Sequence, residues 1–323
     1  MNSAAQHPLA KHPLAFGAAT VGNLYREVSD ERAWAVLDAA WQAGIRHFDT
    51  APHYGIGLSE RRLGAFLQTK PRDEFVISTK VGRILEPVTP VEGDDMQHDF
   101  AVPKTHVRRY DYSADGIRRS LDDSLERLGL DRVDVLYLHD PELAAEGTDA
   151  ALAAGLPAVA SLRDQGVVRG VGIGSKDLDA LSQAAVSGFA DTLMISAQYT
   201  LLEQAAGERL LPLMLEQGVR GVAVSIFNSG LLAKPRPASD ARYDYGSASA
   251  ELVARAHSIA DVCEAHGVDL PTAAIAYPLR HEAMVACAVS ASSSEQVEQT
   301  AARAAVDVPD ALWSDLTAAG LIP

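Results

Sequence analysis

Three short segments end an apolar run in an ionisable side chain. Arg46-His47-Phe48-Asp49 ends in a carboxylate, Val76-Ile77-Ser78-Thr79-Lys80 in an ammonium, and Asp134-Val135-Leu136-Tyr137-Leu138-His139 in an imidazole. Across a Pro turn from the first lies a phenol, in Ala51-Pro52-His53-Tyr54-Gly55. These four groups form an acid–base set. A phenol has an ordinary pKa of about 10, too high to exchange protons readily near neutrality. An ammonium beside it favours the phenolate and lowers that value. A carboxylate holds the ammonium charged and in place, and an imidazole beside the phenol orients a substrate oxygen or shares its proton. Tyr54, Lys80, Asp49 and His139 therefore suit proton transfer to or from a carbonyl or alcohol. Singly, each has a structural explanation: a turn cap, a surface lysine, a core histidine, a packing aromatic. Their recurrence at successive strand ends is what argues for chemistry.

The elements that must carry them are legible as an alternation of short apolar runs with longer helical stretches. The pattern predicts strands over 14–18, 46–48, 75–79, 133–138, 170–173, 192–196, 219–226 and 284–289. It predicts helices over 30–43, 59–66, 115–128, 149–165, 177–187, 205–217, 251–266, 272–280 and 294–305, several of them stopped by glycine. Eight such alternations predict a single (β/α)8 TIM barrel domain over residues 1–323. An open doubly wound sheet fits less well: Gly170-Val171-Gly172-Ile173-Gly174-Ser175 lacks the last glycine of a dinucleotide fingerprint, and no composition shift marks a second domain. Neighbouring strands lie about 4.8 Å apart, so side chains from adjacent strand ends meet in one small site. Two segments exceed simple connections. One, 81–112 after strand three, carries Asp94, Asp95, His98 and His106; the other, 228–249 after strand seven, carries Lys234-Pro235-Arg236-Pro237 and Tyr243-Asp244-Tyr245. Both belong at the C-terminal mouth of a barrel, where ligand loops sit.

Composition narrows the partners. Among 323 residues, 28 are Lys or Arg and 43 are Asp or Glu, a formal net charge of −15. Nucleic acid and anionic membrane need a basic patch, and the densest basic stretch, Lys104, Arg108 and Arg109, runs straight into Asp111. No apolar run approaches the ~20 residues of a membrane helix, and residues 1–13 lack a leader's apolar core. Cys263 and Cys287 are far apart and form no C-x-x-C, which predicts reduced, buried thiols in the cytoplasm. A metal-dependent hydrolase on Asp49, His53 and His139 would ordinarily bring a His-x-His pair from one strand, and the chain has none; no metal site is expected.

The sequence resembles the aldo-keto reductase family over nearly its whole length. The resemblance is carried by Phe16-Gly17 with Gly22, Gly44-Ile45-Arg46-His47-Phe48-Asp49-Thr50-Ala51-x-x-Tyr54-Gly55, Gly57-x-Ser59-Glu60-x-x-Leu63-Gly64, Ser78-Thr79-Lys80, Ser124-Leu125-x-Arg127-Leu128-Gly129-Leu130-Asp131, Asp134-x-x-x-x-His139 and Ser225-x-Phe227-Asn228-x-Gly230-Leu231-Leu232. It implies a (β/α)8 barrel that uses NAD or NADP without a Rossmann domain, with Tyr54 as general acid/base supported by Lys80, Asp49 and His139. Within the family the chain is most similar to the aldose 1-dehydrogenases (L-fucose, D-threo-aldose, L-galactose) and pyridoxal 4-dehydrogenase, through Gly22-Asn23-Leu24-Tyr25, Ala51-Pro52-His53-Tyr54-Gly55, Thr79-Lys80-Val81-Gly82-Arg83 and Val102-Pro103-x-Thr105. Those substrates are cyclic hemiacetals, and removing a hydroxyl proton and a hydride yields a lactone. The implied partner is thus a small sugar or aldehyde. A general carbonyl reductase and a non-catalytic nucleotide-sensing subunit of the same fold are the alternatives.

The same resemblance implies cofactor contacts at Gln198, Ser225, Phe227, Asn228, Gly230, Leu231, Ser290, Ser292 and Gln296. Here the sequence departs from the usual pattern: Ser290 stands for Gly, Ser292 lies where Arg or Lys is common, and Thr300 stands for Asn. A missing cation removes the partner of a dianionic 2′-phosphate and leans toward NAD unless Arg236, Arg242 or Arg303 compensates. The Ser-Asn usual after strand five is absent from Gly174-Ser175-Lys176-Asp177, Val224 stands where a stacking aromatic is common, and Gln198 and Tyr199 are available after strand six.

Overall fold

A computed structural model describes residues 9, 12–238, 240–243 and 246–323. The expectations for residues 1–8 and for Asp244 and Tyr245 lie outside them. In chain order the strands are β1 (Leu14–Gly17), β2 (His47–Asp49), β3 (Val76–Val81), β4 (Arg83–Pro87), β5 (Asp94–Asp95), β6 (Phe100–Pro103), β7 (His106–Tyr110), β8 (Val135–His139), β9 (Gly170–Ser175), β10 (Thr192–Ser196), β11 (Arg220–Val224), β12 (Arg242–Tyr243), β13 (Gly246–Ser247) and β14 (Met284–Val289). The helices are α1 (Asp30–Gln42), α2 (Leu58–Leu67), α3 (Ala114–Leu128), α4 (Thr148–Asp164), α5 (Leu178–Val186), α6 (Ala205–Glu208), α7 (Leu210–Gln217), α8 (Ala250–Ala265), α9 (Leu270–Ala276), α10 (Ser294–Ala304) and α11 (Asp310–Ala318). Eight parallel strands close a barrel in the order β1-β14-β11-β10-β9-β8-β3-β2.

Helix starts follow the side chains that satisfy their free N–H groups. Ser29, Ser113, Asp177, Ser249, Asp269 and Ser293 each accept a bond from the first turn they precede. The helix expected over 205–217 is broken at Arg209. Pro212 explains the break, because its ring collides with the carbonyl four residues earlier, that of Glu208. The helix expected over 272–280 begins earlier, at Leu270 behind the Asp269 cap, and tightens into a 3-10 turn at Tyr277–Arg280. Helix α11 is not expected from the sequence pattern. It buries Leu312, Trp313 and Leu316.

Strand alternation separates two cores. Phe48, Ile77, Val81, Leu136, Leu138, Val171, Ile173, Leu193 and Cys287 face the helices. Leu9, Val76, Val135, Tyr137, Met194, Val222 and Ala286 pack inside the barrel. Because side chains alternate along a strand, Lys80 continues the inward set of Val76 and Ser78, and His139 that of Val135 and Tyr137. Both strands run further than the sequence pattern implies, so Lys80 and His139 lie within β3 and β8 rather than just beyond them. Strand β11 is shorter than expected, since Ser225 takes a left-handed φ of 58° and leaves the sheet.

Buried pairs tie α2 and α3 to the barrel. Glu60, fully buried, accepts from Thr79 Oγ1 (2.9 Å) and Arg127 Nε (2.6 Å). At Gly64 a Cβ would lie 2.1 Å from the Leu128 carbonyl oxygen, so only glycine lets the two helices approach this closely. Among the described residues no helix is long and apolar enough to cross a membrane. Cys263 and Cys287 are buried and unbridged, and burial pushes both thiols up to about 12.

Candidate active site

The long segments close over the C-terminal mouth as expected. In 81–112, β4 pairs antiparallel with β7 and β5 with β6; in the other, β12 pairs with β13. The first is fastened to the stretch after β1 by Tyr25 N–H to the Asp99 carbonyl (2.6 Å), Ala101 N–H to the Asn23 carbonyl (2.9 Å) and a bridge between Leu24 and Phe100. Asn23 is itself held, its Oδ1 accepting from Arg62 Nη1 (2.8 Å) and Val28 N–H (3.1 Å). A cavity of about 710 Å³ lies beneath, with Asp49, Tyr54, Lys80 and His139 on its wall.

Lys80 Nζ organises this set. It donates to Asp49 Oδ2 (2.6 Å), the Thr50 carbonyl (2.9 Å) and Tyr54 Oη (3.1 Å), and Ser78 Oγ donates to the other Asp49 oxygen (2.7 Å). Tyr54 is presented by a turn in which Gly55 has φ +59° and passes so close to Gly22 that a Cβ would lie 2.1 Å from the Gly22 carbonyl oxygen. Burial alone would lower Lys80, but Asp49 and Tyr54 reverse this and push it up to about 12. The expected depression of the Tyr54 pKa is not found. Burial raises it above 10, and the Lys80 attraction is partly cancelled by Asp49. Tyr54 is therefore a protonated phenol at neutral pH. His139 is held well below 6.5 by burial and by the positive charges of Arg83 and Lys80, so it is a neutral imidazole. Its ring stands edge-on to Tyr54, centroids 6.1 Å apart.

Three features were not assigned roles by the sequence reading. Arg83 pairs with Asp140 beside His139, and Tyr112 Oη donates to the His139 and Asp140 carbonyls (2.7 and 3.0 Å), holding the left-handed turn at Asp140. Arg108, noted only as part of a basic stretch, turns inward onto His53 and Asp95, while Arg109 faces the other way onto Glu86 and Asp111. Strand alternation in His106-Val107-Arg108-Arg109-Tyr110 was the available signal. Arg26 and Arg32 reach Ser292, Arg26 Nη2 to its Oγ (2.8 Å) and Arg32 Nε to its carbonyl (3.1 Å).

Of the expected cofactor residues, Gln198, Ser225, Phe227, Asn228, Gly230 and Ser290 line the cavity, as does Val224. Leu231 is instead packed into the core. Ser292 and Gln296 lie beyond the cavity wall, bonded to each other (Ser292 N–H to Gln296 Oε1, 2.8 Å). Tyr199 stacks on Tyr277 at 5.4 Å and does not line the cavity. Ser175 Oγ is committed to Glu142 (2.7 Å). Of the three arginines that could compensate at Ser292, Arg303 pairs with Asp269, Arg236 with Asp261 and Glu264, and Arg242 lies over the Tyr25 ring. The wall suits a dinucleotide. Ser225, Asn228, Ser229 and Gly230 all have positive φ, the kind of backbone that cradles phosphates. Asn228 Nδ2 is buried with no partner, while its Oδ1 accepts from Thr200 (2.8 Å).

An inward lysine, carboxylate and imidazole around a mouth tyrosine, on a closed eight-stranded barrel, agree with the match of residues 13–320 to the aldo/keto reductase family. The chain belongs to that family and is an NAD(P)-dependent oxidoreductase. It is 51% identical to D-threo-aldose 1-dehydrogenase of a Pseudomonas species, over 99% of this chain and 98% of the relative. Pyridoxal 4-dehydrogenase of Microbacterium luteolum is 36% identical (96% and 94%), and L-galactose dehydrogenase of Arabidopsis thaliana 30% (89% and 82%). Among solved structures, a glycerol dehydrogenase of Gluconobacter oxydans superimposes with a TM-score of 0.75 at 21% identity, covering 96% of this chain and 93% of that one. This last likeness supports the barrel fold.

Proposed function

We propose that this chain, as one catalytic barrel domain in the cytoplasm, oxidises a cyclic hemiacetal to its lactone. The substrate class is an aldose such as L-fucose, D-arabinose or L-galactose, or pyridoxal. The observation that carries the reading is the chain Tyr54 Oη–Lys80 Nζ–Asp49, at 3.1 and 2.6 Å, opening on a cavity beside a neutral His139. The 51% identity to an aldose dehydrogenase supports the direction and substrate class.

In oxidation, Tyr54 takes the proton of the anomeric hydroxyl. Lys80, fixed as an ammonium by Asp49, stabilises the phenolate that must form before Tyr54 can accept this proton. His139, uncharged, bonds the same substrate oxygen and orients it without competing for the proton. Bound nicotinamide supplies the hydride acceptor. Gln198, Ser225, Phe227, Asn228, Gly230 and Ser290 would hold the dinucleotide, with Ser292, Gln296 and Leu231 shaping the segments behind them. NAD is the favoured form because position 292 carries no basic side chain; Arg26 and Arg32 are the cations that would receive a 2′-phosphate.

The test follows reduced nicotinamide formation with NAD+ and NADP+ on L-fucose, D-arabinose, L-galactose, L-xylose, D-glucose and pyridoxal. Turnover of one of them, abolished in Tyr54→Phe with dinucleotide binding retained, is the expected result. Full activity in Tyr54→Phe would overturn the assignment. Silence on the panel with reduction of simple aldehydes would transfer the chain to the carbonyl reductases. Nucleotide binding without any turnover would make it a sensing subunit.

A further inference from the structure

The hemiacetal reading leaves His53, a polar group beside the reacting set, without a task. His53 lines the cavity yet takes no part in the Tyr54–Lys80–Asp49 chain. Its environment is built with care. Arg108 Nε donates to His53 Nδ1 (2.6 Å), and Arg108 Nη2 donates to the His53 carbonyl (2.9 Å). The same guanidinium is gripped by both oxygens of Asp95, at 2.7 and 2.5 Å. The Asp95 side chain is 0% exposed and that of Arg108 4%. Both come from the loop segment 81–112 and reach back to the turn that carries Tyr54.

This brace determines the proton position on His53. A guanidinium has only donors and does not lose its charge. Nδ1 must therefore present its lone pair to Arg108, and the ring proton resides on Nε2. A second proton is disfavoured by burial and by the cations Arg83 and Arg108, which hold the ring well below 6.5. Among the described residues Nε2 has no protein partner, and it is not one of their enclosed orphan atoms, which leaves it accessible on a ring that lines the cavity. Three rings meet there. Centroids lie 5.7 Å apart for His53 and His139, 6.2 Å for His53 and Tyr54, and 6.1 Å for Tyr54 and His139. Phe100 closes the apolar side of His53 at 5.4 Å.

These separations are short enough for one sugar-sized molecule to reach all three. Were its reacting oxygen between Tyr54 and His139, the oxygen on the next carbon would lie about one hydrogen-bond length from it, within reach of His53. We infer that His53 Nε2–H donates to the substrate hydroxyl on the carbon adjacent to the one oxidised, and that Asp95 and Arg108 are positioning residues that fix its tautomer and orientation. The site then selects substrates bearing an oxygen at that carbon, since a donor aimed at a missing acceptor is left unpaired.

The inference rests on the hemiacetal reading, and the experiment separates the two. An aldose that the enzyme oxidises is compared with its 2-deoxy counterpart in wild type, His53→Phe, His53→Gln and Asp95→Asn, with thermal melts and NAD(H) binding by fluorescence recorded for each. The wild type should prefer the full sugar by about tenfold or more in kcat/KM. His53→Phe should collapse that ratio toward one, mainly through KM for the full sugar. Glutamine places an amide N–H near the position of Nε2 and should restore part of the ratio. Asp95→Asn should raise KM for the full sugar and leave the deoxy sugar nearly unchanged. Should the phenylalanine variant not fold, the Gln and Asn variants carry the test alone. A ratio unmoved by the substitutions, in an enzyme still dependent on Tyr54, overturns the role of His53 and leaves the hemiacetal reading standing. An enzyme that oxidises pyridoxal but no aldose overturns the role of His53 alone, and one that oxidises neither overturns both.

Discussion

The Lys80–Asp49 pair allows catalysis and stability to be separated. Lys80→Met removes three bonds, to Asp49, Thr50 and Tyr54. At 2.6 Å and an effective dielectric of about 20, the lost attraction is about 6 kcal/mol. Both side chains are nearly inaccessible, 3% and 4% exposed, so water cannot replace the lost partner. Asp49 keeps only the Ser78 hydroxyl among its side-chain partners. An uncompensated buried charge of this kind costs about 3–5 kcal/mol. In the double variant Asp49→Asn/Lys80→Met no charge remains. Replacing a buried ion pair by neutral groups of similar size is often close to neutral, so most of the stability should return. Activity should not return, because the phenolate has lost its ammonium; both variants should fall by about 10²–10⁴ in kcat. Urea unfolding gives the first quantity and reduced nicotinamide formation the second. A double variant no more stable than Lys80→Met would refute the argument that the pair's main energetic consequence is the carboxylate it neutralises.

Tyr54 must be deprotonated to act as a base and its pKa lies above 10, so kcat/KM for oxidation should rise about tenfold per pH unit through the neutral range. Reduction, which needs the protonated form, should be flat there, and a plateau in oxidation near pH 7 would contradict the assignment. His53 and His139 have folded values well below 6.5. The unfolded chain therefore takes up protons first on acidification, and stability present above pH 6.5 should fall as pH drops below it, by up to about 1.4 kcal/mol per pH unit for each imidazole. Urea midpoints at pH 7.5 and 5.5 measure this. Arg127→Ala should cost about 3–5 kcal/mol in the same assay, because Glu60 is left charged and buried, whereas Glu60→Gln/Arg127→Met should recover most of it. Arg26→Gln should raise KM for NADP+ severalfold and leave KM for NAD+ unchanged; equal effects on both would place the 2′-phosphate elsewhere.

Much of the barrel could be read from the chain because its strands are buried on both faces and bounded by glycine and capping residues. Lys80 and His139 were legible as residues at strand ends; their inward placement by period-two alternation through Ser78 and Tyr137 depends on strands that run further than the pattern predicts. The motif Ser59-Glu60-x-x-Leu63-Gly64 was legible as a pattern, but its cause, a buried carboxylate shared by Thr79 and Arg127, was not. Long-range partners escape a one-dimensional reading in general. Arg108 is far along the chain from His53, and strand alternation separates it from Arg109 without saying which of the two faces inward. Arg26 and Arg32 approach Ser292 only because the barrel closes β1 against β14. The protonation of Tyr54 was misjudged for a related reason: the lysine was evident, but the depth of burial that outweighs it depends on how the loops fold over.

The alternation that aims these side chains also constrains how the chain can change length. Removing one residue from Val135–Tyr137 would turn His139 out among the helices and bring Leu138 into the mouth, inverting the strand from the deletion onward. No compensating point substitution restores that arrangement. The turns outside the paired strands of segments 81–112 and 228–249 carry no such parity: residues added at their outer tips lengthen a rim without reversing a face. Variation in what the enzyme accepts is therefore open to insertion and deletion in the rim, while the reacting groups beneath can be altered only one residue at a time, at constant strand length.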